Sequence, residues 1–367
     1  MSVEGATELP VSLADYEQQA QMRLDGKAWA YFSGGGADEI TQRWNRERLD
    51  RLALIPRVLR GGPGCHTQLS LFGCDQAHPI LVAPLAHQKM AHPEGELATA
   101  VGAGAQQAGM VFSMQASVSM ESAAKAGPTC RWFQLYFQPL REATLQLIRR
   151  AEGAGFELLM VTVDAPVNGV RNREHRAGFQ WCSYAIPENL KGLPTADAEP
   201  LSEGASAVFD HYMAVAPTWD DVAWLRQQTK LPIVLKGILS PWDAEQAIAS
   251  GMNGIVVSNH GGRTLDTLPA TIDVISEIAG VVGGRVPLLF DGGIRRGTDV
   301  LKALALGASA VMVGRPIIYG LSVAGALGVS HVLRLLRDEF EIAMALTGCR
   351  TLSDIGPHII RRYRAEF

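Results

Sequence analysis

The sequence predicts a (β/α)8 barrel, and three observations carry that reading. Eight short apolar runs rich in β-forming residues recur along the chain, at 80–83, 110–113, 132–136, 158–164, 233–236, 254–258, 287–291 and 310–314. The stretches between them, such as 94–107, 141–154, 241–250 and 298–306, space Ala and Leu at helical intervals. Polar residues fall at the same end of nearly every run, which in a barrel is the catalytic face. An open doubly wound sheet also alternates strand and helix. Against it, no G-x-G-x-x-G opens the first βα unit and no G-x-x-x-x-G-K-[ST] occurs.

Taken in order, residues 1–79 precede the first barrel strand and read as a cap on the same domain. Ser12-Leu13-Ala14-Asp15 has the pattern of a capping box opening a helix to about Leu24, and 31–38 reads as a Gly-rich link into another helix. The barrel proper spans 80–353, and 354–367 is a C-terminal tail. After the fourth strand, 180–217 shows little periodicity and many Gly, Ala, Ser and Pro residues. A loop that long is expected to cover the barrel mouth, the alternative being a spacer without a role. Residues 332–345 read as core or subunit packing.

The 367 residues are 47% hydrophobic and 19% charged, enough for one large core. A net charge of -4 leaves no basic excess for a phosphate backbone, so nucleic acid is a poor partner and small molecules are the expected ligands. The five cysteines (65, 74, 130, 182 and 349) form no Cys-x-x-Cys and no zinc-like spacing, which points to reduced thiols in the cytoplasm. No leader peptide is legible, and no apolar run is expected to span a membrane. His66, His78, His87, His175, His211, His331 and His358 lack metal-ligand spacing and read as structural or surface groups.

Chemistry concentrates at the strand ends: Ser113, Gln134 and Tyr136, Thr162 and Asp164, Lys236, Ser258 to His260, Asp291, Gly314 and Arg315. Ser258-Asn259-His260-Gly261-Gly262-Arg263 places a base and a cation three residues apart directly after an apolar strand. Two glycine- and arginine-bearing loops, Asp291-Gly292-Gly293-Ile294-Arg295-Arg296-Gly297 and Gly314-Arg315-Pro316, follow strands seven and eight, where barrels bind phosphate. Lys236 ends strand five and needs either an acid or an electron-rich ligand. FMN, with a phosphate and a ring that becomes anionic on reduction, satisfies both requirements.

These residues resemble the FMN-dependent 2-hydroxy acid oxidases, the family of glycolate, lactate and hydroxymandelate oxidases and of the flavin domain of flavocytochrome b2. The resemblance extends through Ala83-Pro84-Leu85-Ala86, 89–96, 132–136, Thr162-Val163-Asp164 and Leu235-Lys236-Gly237, and covers about 12–353. It implies oxidation of an (S)-2-hydroxy acid to the 2-oxo acid with O2 reduced to H2O2, in a homo-oligomer of four or eight chains. His260 is then the base and Asp164 its orienter. Arg171 and Arg263, with Tyr31, hold the substrate carboxylate, and Tyr136 lies beside the substrate hydroxyl. FMN is held by the Ala86 backbone, by the side chains of Ser113, Gln134, Thr162, Lys236 and Ser258, and at its phosphate by Asp291, Gly293, Arg295, Gly314 and Arg315. Lys236 also stabilises the reduced ring.

The chain departs from glycolate oxidases at Gln115, where they carry Trp, and at Asn168, where they carry Leu. The substrate side-chain pocket is therefore expected to be roomier or more polar. Phe32 replaces a family tyrosine and reads as packing. The alternatives are a dehydrogenase passing electrons to a quinone or another acceptor, a monooxygenase outcome that releases CO2, and a catalytically silent FMN-binding protein. The dehydrogenase requires a heme domain or membrane insert that the sequence does not display.

Overall fold

The computed structural model describes residues 9–128, 130–195 and 201–362. The chain opens with α1 (Leu13–Arg23), α2 (Gly26–Ser33) and α3 (Ile40–Asp50), followed by β1 (Leu52–Leu54) and a hairpin of β2 (Leu69–Leu71) and β3 (Cys74–Gln76). The barrel units follow as β4 (Ile80–Val82), α4 (Glu96–Ala105), β5 (Met110–Ser113), α5 (Met120–Ala126), β6 (Arg131–Leu135), α6 (Arg141–Gly153) and β7 (Leu158–Thr162). After a short α7 (Asn172–Arg176) come α8 (Trp219–Gln228), β8 (Ile233–Ile238), α9 (Pro241–Ala249), β9 (Gly254–Val257), α10 (Thr271–Val282), β10 (Leu288–Phe290), α11 (Gly297–Ala305), β11 (Ala310–Val313), α12 (Arg315–Thr347) and β12 (Ile360–Arg362).

Strands β4 to β11 close in the order β10-β11-β4-β5-β6-β7-β8-β9, every pair parallel. The expected (β/α)8 barrel is thus present, each of the eight apolar runs supplying one strand. Because strand side chains alternate between faces, the barrel has two cores. Leu81, Val111, Trp132, Met160, Val234, Val256, Leu289 and Met312 fill the interior, while their neighbours pack outward under the helices. Phe72, at the tip of the β2–β3 hairpin, packs edge-on against Trp132 at 5.4 Å and closes the strands' N-terminal end. The other end remains available for chemistry.

Several boundaries differ from the sequence reading. Ser12 does cap α1, its Oγ accepting from Asp15 N at 3.2 Å. Tyr31 and Phe32 lie inside α2 rather than in the Gly-rich link, which is shortened to 34–39. The C-terminal segment is tied down, with β12 pairing antiparallel to β1 from Leu52 opposite Arg362 to Leu54 opposite Ile360. Residues 363–367 of the tail and 196–200 of the long loop lie outside the described residues. One helix, α12, is long and apolar enough to cross a membrane by length and composition, a length the sequence reading did not find in any apolar run. Here most of its apolar side chains, among them Ile317, Leu321, Val332, Leu336 and Phe340, are buried in the core, and the helix kinks at Ala324 and Gly325.

Candidate active site

Each residue of the loop after β9 has a separate task. Ser258 is buried, and its Oγ accepts from Lys236 Nζ at 2.9 Å and from His260 N at 3.0 Å while donating to Asp291 Oδ1 at 2.6 Å. Asn259 exchanges amide hydrogen bonds with Asn45 of α3 at 2.9 and 2.8 Å, anchoring the loop to the cap. His260, Gly261 and Gly262 then run through the left-handed region at φ 57°, 64° and 74°. That conformation is free for glycine and costs a histidine about 1 kcal/mol or more, so His260 is held there by its surroundings. A Cβ at Gly262 would also come within 2.7 Å of Gln42 N. Asp266 ends the loop by accepting from Asp38 N, Ile40 N and Thr41 N, which fixes the start of α3.

His260 Nδ1 lies 3.0 Å from Asp164 Oδ1. Burial alone would raise the Asp164 carboxyl, but His260 and Lys236 overcome that and hold it below the usual carboxylate range. An ionised Asp164 only accepts, so His260 Nδ1 carries a proton, and in the neutral imidazole the Nε2 lone pair is the one left for a substrate. Gly237 makes room for this pair. Its φ of +110° and the β-bulge at 236/238 bring its backbone so close that a Cβ would strike the Asp164 side chain.

A cavity of about 580 Å³ opens at this end of the barrel. It gathers Tyr31, Ala86, Ser113, Gln134, Tyr136, Thr162, Arg171, Lys236, His260, Arg263, Asp291, Gly293, Arg295, Gly314 and Arg315 in its lining. Asp164 and Ser258, the other two residues singled out from the sequence, stand behind it. For Asp164 that suits an orienting role. Ser258 Oγ is bonded to Lys236, Asp291 and the His260 backbone, so it positions groups that line the cavity.

Along one wall Ser113 Oγ donates to Gln134 Oε1 at 3.1 Å and Gln134 Nε2 donates to Thr162 Oγ1 at 3.0 Å, a polar ladder across β5, β6 and β7. Lys236 finds its acid in Asp291, 3.3 Å away. Arg315 is also committed: it donates to Phe32 O, Gly261 O, Gly34 O and Gln42 Oε1 at 2.7–3.2 Å. Burial, with Arg263 and Arg295 nearby, pulls its guanidinium down to about 9. Arg295 keeps more of its donors, bonding Ile294 O and standing 3.8 Å from Glu17. With Gly293 and with Gly314, which caps α12, it forms a corner of the cavity whose donors suit an anion.

The carboxylate-binding side holds one residue that sequence reasoning passed over. Glu174 Oε1 lies 3.1 Å from Arg171 Nη1 and 3.6 Å from Arg263 Nη2, bridging the two cations. Burial and the neighbouring Arg263 both push the Arg171 guanidinium down, and Glu174 opposes them. Arg263 also donates to Tyr31 O and Gly34 O and sits 5.0 Å over the Tyr31 ring. Burial raises the Tyr31 and Tyr136 phenols, so both stay protonated donors.

The start of the long loop forms one side of the mouth. Phe179 stacks on Tyr31 at 5.2 Å, and Trp181 lies edge-on to Tyr31 at 5.5 Å and 4.2 Å from the His87 ring. His175 joins the lining and is not merely a surface group. The signal available in the sequence for Phe179 and Trp181 was two aromatics at the head of an otherwise aperiodic loop.

A family model described as FMN-dependent dehydrogenase matches residues 20–362. The chain belongs to that family. Among its relatives an L-lactate oxidase of Roseobacter sp. (strain GAI101) is 48% identical over 352 residues, 96% of this chain and 95% of that one. Glycolate oxidase 1 of Zea mays is 43% identical and covers 95% of each chain. A solved mandelate oxidase structure, with (S)-2-phenylpropionate, superposes with a TM-score of 0.86 at 41% identity, covering 96% of this chain and 98% of that one. As a member of the FMN-dependent dehydrogenase family, the protein is an FMN-dependent oxidoreductase. The donor set fits the cofactor, with an anion corner at Arg295, a neutral polar ladder at Ser113, Gln134 and Thr162, and a buried cation at Lys236.

Proposed function

We propose that this enzyme oxidises an (S)-2-hydroxy acid with a side chain larger or more polar than that of glycolate, reducing O2 to H2O2. The observation that carries the reading is the His260–Asp164 pair opening onto a cavity flanked by Arg171 and Arg263. The two arginines take the substrate carboxylate, which replaces Glu174 as their partner. Tyr136 donates to the substrate oxygen, and His260 Nε2 receives the proton that oxidation releases. Bound FMN supplies the two-electron acceptor. Whether electrons leave as hydride or after loss of the α-proton, a base is needed at this position. Gln115 and Asn168 both line the cavity, which supports a substrate with a polar or bulky side chain.

The test is anaerobic mixing of the yellow protein with a panel of 2-hydroxy acids, followed by air. Bleaching with fast reoxidation and peroxide release is the expected result; slow reoxidation points to another electron acceptor. Glycolate giving the best kcat/KM would refute the substrate reading. His260→Ala should cost roughly 10²- to 10⁴-fold in flavin reduction with FMN still bound, and near-normal reduction would remove the base assignment.

A further inference from the structure

At the other pole of the barrel the fold assembles a second cluster, one that linear spacing conceals. Cys74 opens β3 of the plugging hairpin, Cys130 stands just before β6, and Glu157 just before β7. One donor atom from each, two Sγ and a carboxylate oxygen, lies within 4.8 Å of the others. The cysteines are only 7% and 5% exposed, and Glu157 closes the cluster from the solvent side. We propose that Cys74, Cys130 and Glu157 bind a thiophilic divalent cation of the zinc class, which clasps the β2–β3 hairpin to the floor of the barrel.

The geometry suits that ion. With zinc bonds of about 2.3 Å to sulfur and about 2.0–2.2 Å to oxygen, tetrahedral ligand atoms sit roughly 3.5–3.8 Å apart, so three donors already this close need only small shifts. Cys74 Sγ presently donates to Glu157 Oε2 at 3.0 Å and Cys130 Sγ to Asp75 O at 3.6 Å. Metal entry replaces those two thiol protons: two Zn–S bonds form, two S–H bonds break, the protons pass to solvent, and no electrons are transferred.

A route and a fourth ligand are at hand. A groove of about 790 Å³, lined by Cys130, Asp75, Gln76 and Pro128 among others, opens beside the cluster and admits solvent. It can supply a water, and the Asp75 carbonyl is the other available oxygen. Gln76 lines the same groove, is 3% exposed, and has a buried Nε2 with no partner among the described residues. The role is structural. The cluster joins the hairpin to the starts of β6 and β7, at the end of the strands opposite the cavity that contains His260.

The experiment uses the reduced, FMN-loaded protein, stripped with a chelator and titrated anaerobically with Co²⁺. One equivalent should bring up the d–d absorption of a tetrahedral thiolate-bound Co²⁺ in the red, beyond the flavin bands, and Zn²⁺ should displace it stoichiometrically. Cys74→Ser should weaken binding at least roughly 100-fold and Glu157→Gln roughly 10-fold, as expected for loss of a ligand. Cys65→Ser, at an exposed thiol, should leave the band unchanged. FMN content and substrate-driven bleaching report that each variant is folded. Absence of the band, its persistence in a Cys74→Ser/Cys130→Ser double variant, or a Cys74–Cys130 disulfide in the protein as isolated would overturn the proposal.

Discussion

Asp164→Asn isolates what the carboxylate behind the base contributes. The substitution is nearly isosteric and removes one charge at 3.0 Å from His260 Nδ1 without altering the cavity lining. A hydrogen bond to a charged partner is worth about 1.5–3 kcal/mol, and that stabilisation reaches its full value only when the imidazole has taken the substrate proton. Two unit charges about 4 Å apart interact by about 4 kcal/mol at an effective dielectric near 20, which sets an upper bound. The amide also permits the wrong tautomer, with its NH2 facing Nδ1 and the proton moved to Nε2. The expected loss is therefore roughly 10²-fold in the rate of flavin reduction, with KM within about threefold of wild type, because the carboxylate makes its effect on the transition state. Anaerobic stopped-flow absorbance at saturating substrate measures the rate, and bound FMN is checked by its visible spectrum. A reduction rate within threefold of wild type, or a defect confined to KM, would refute the reasoning.

Glu174→Gln removes the carboxylate that competes for Arg171 and Arg263, so a dianion such as oxalate should bind roughly 5–10-fold tighter, read from the flavin spectrum; weaker binding would make Glu174 a positioning residue for the arginines. Acid should destabilise the fold through His78. Its Nε2 faces Gln106 O at 3.0 Å, its Nδ1 accepts from Ile80 N at 3.3 Å, and burial pulls it down to about 4. The unfolded chain takes up that proton near pH 6.5 and the folded one only near 4. The contribution is thus intact above 6.5 and falls by up to about 1.4 kcal/mol per pH unit toward 4. The fall in Tm between pH 7 and 5 should be shallower in His78→Gln, and equal slopes would exclude His78 as the cause. Val101 on α4 and Leu327, Ile342 and Leu346 on α12 are more than half exposed, an apolar face suited to other subunits. Sedimentation equilibrium should give a tetramer or octamer, and a monomer would leave that face unexplained.

The barrel was legible because each strand is buried on both faces and so reads as an apolar run, with a helical interval before the next. The site was legible for a related reason. A parallel barrel places every strand's C-terminal end on one rim, so polar residues at run ends are brought together by topology alone. Tyr31 was misplaced because Gly34-Gly35-Gly36 begin three residues after it, and only the packing of Trp29 against Tyr319 and Phe179 against Tyr31 shows where the helix stops. Glu174 escaped notice because an acid in the first turn of a short helix is ordinary in sequence. Its significance depends on Arg263, which arrives from a different strand.

The order of strands, the rim chemistry, His260 as the candidate base and the dependence on FMN were thus contained in local pattern and in a specific run of residues after one strand. Tertiary structure decided which groups are already spoken for. Ser258 and Arg315 bond neighbours from distant elements, Asp291 pairs with Lys236, and Cys74, Cys130 and Glu157 meet although nothing in their spacing brings them together. The reason is physical. A local pattern records which face of an element is buried, whereas satisfying a buried donor or charge requires a partner whose distance along the chain is unconstrained, and only the folded packing selects it.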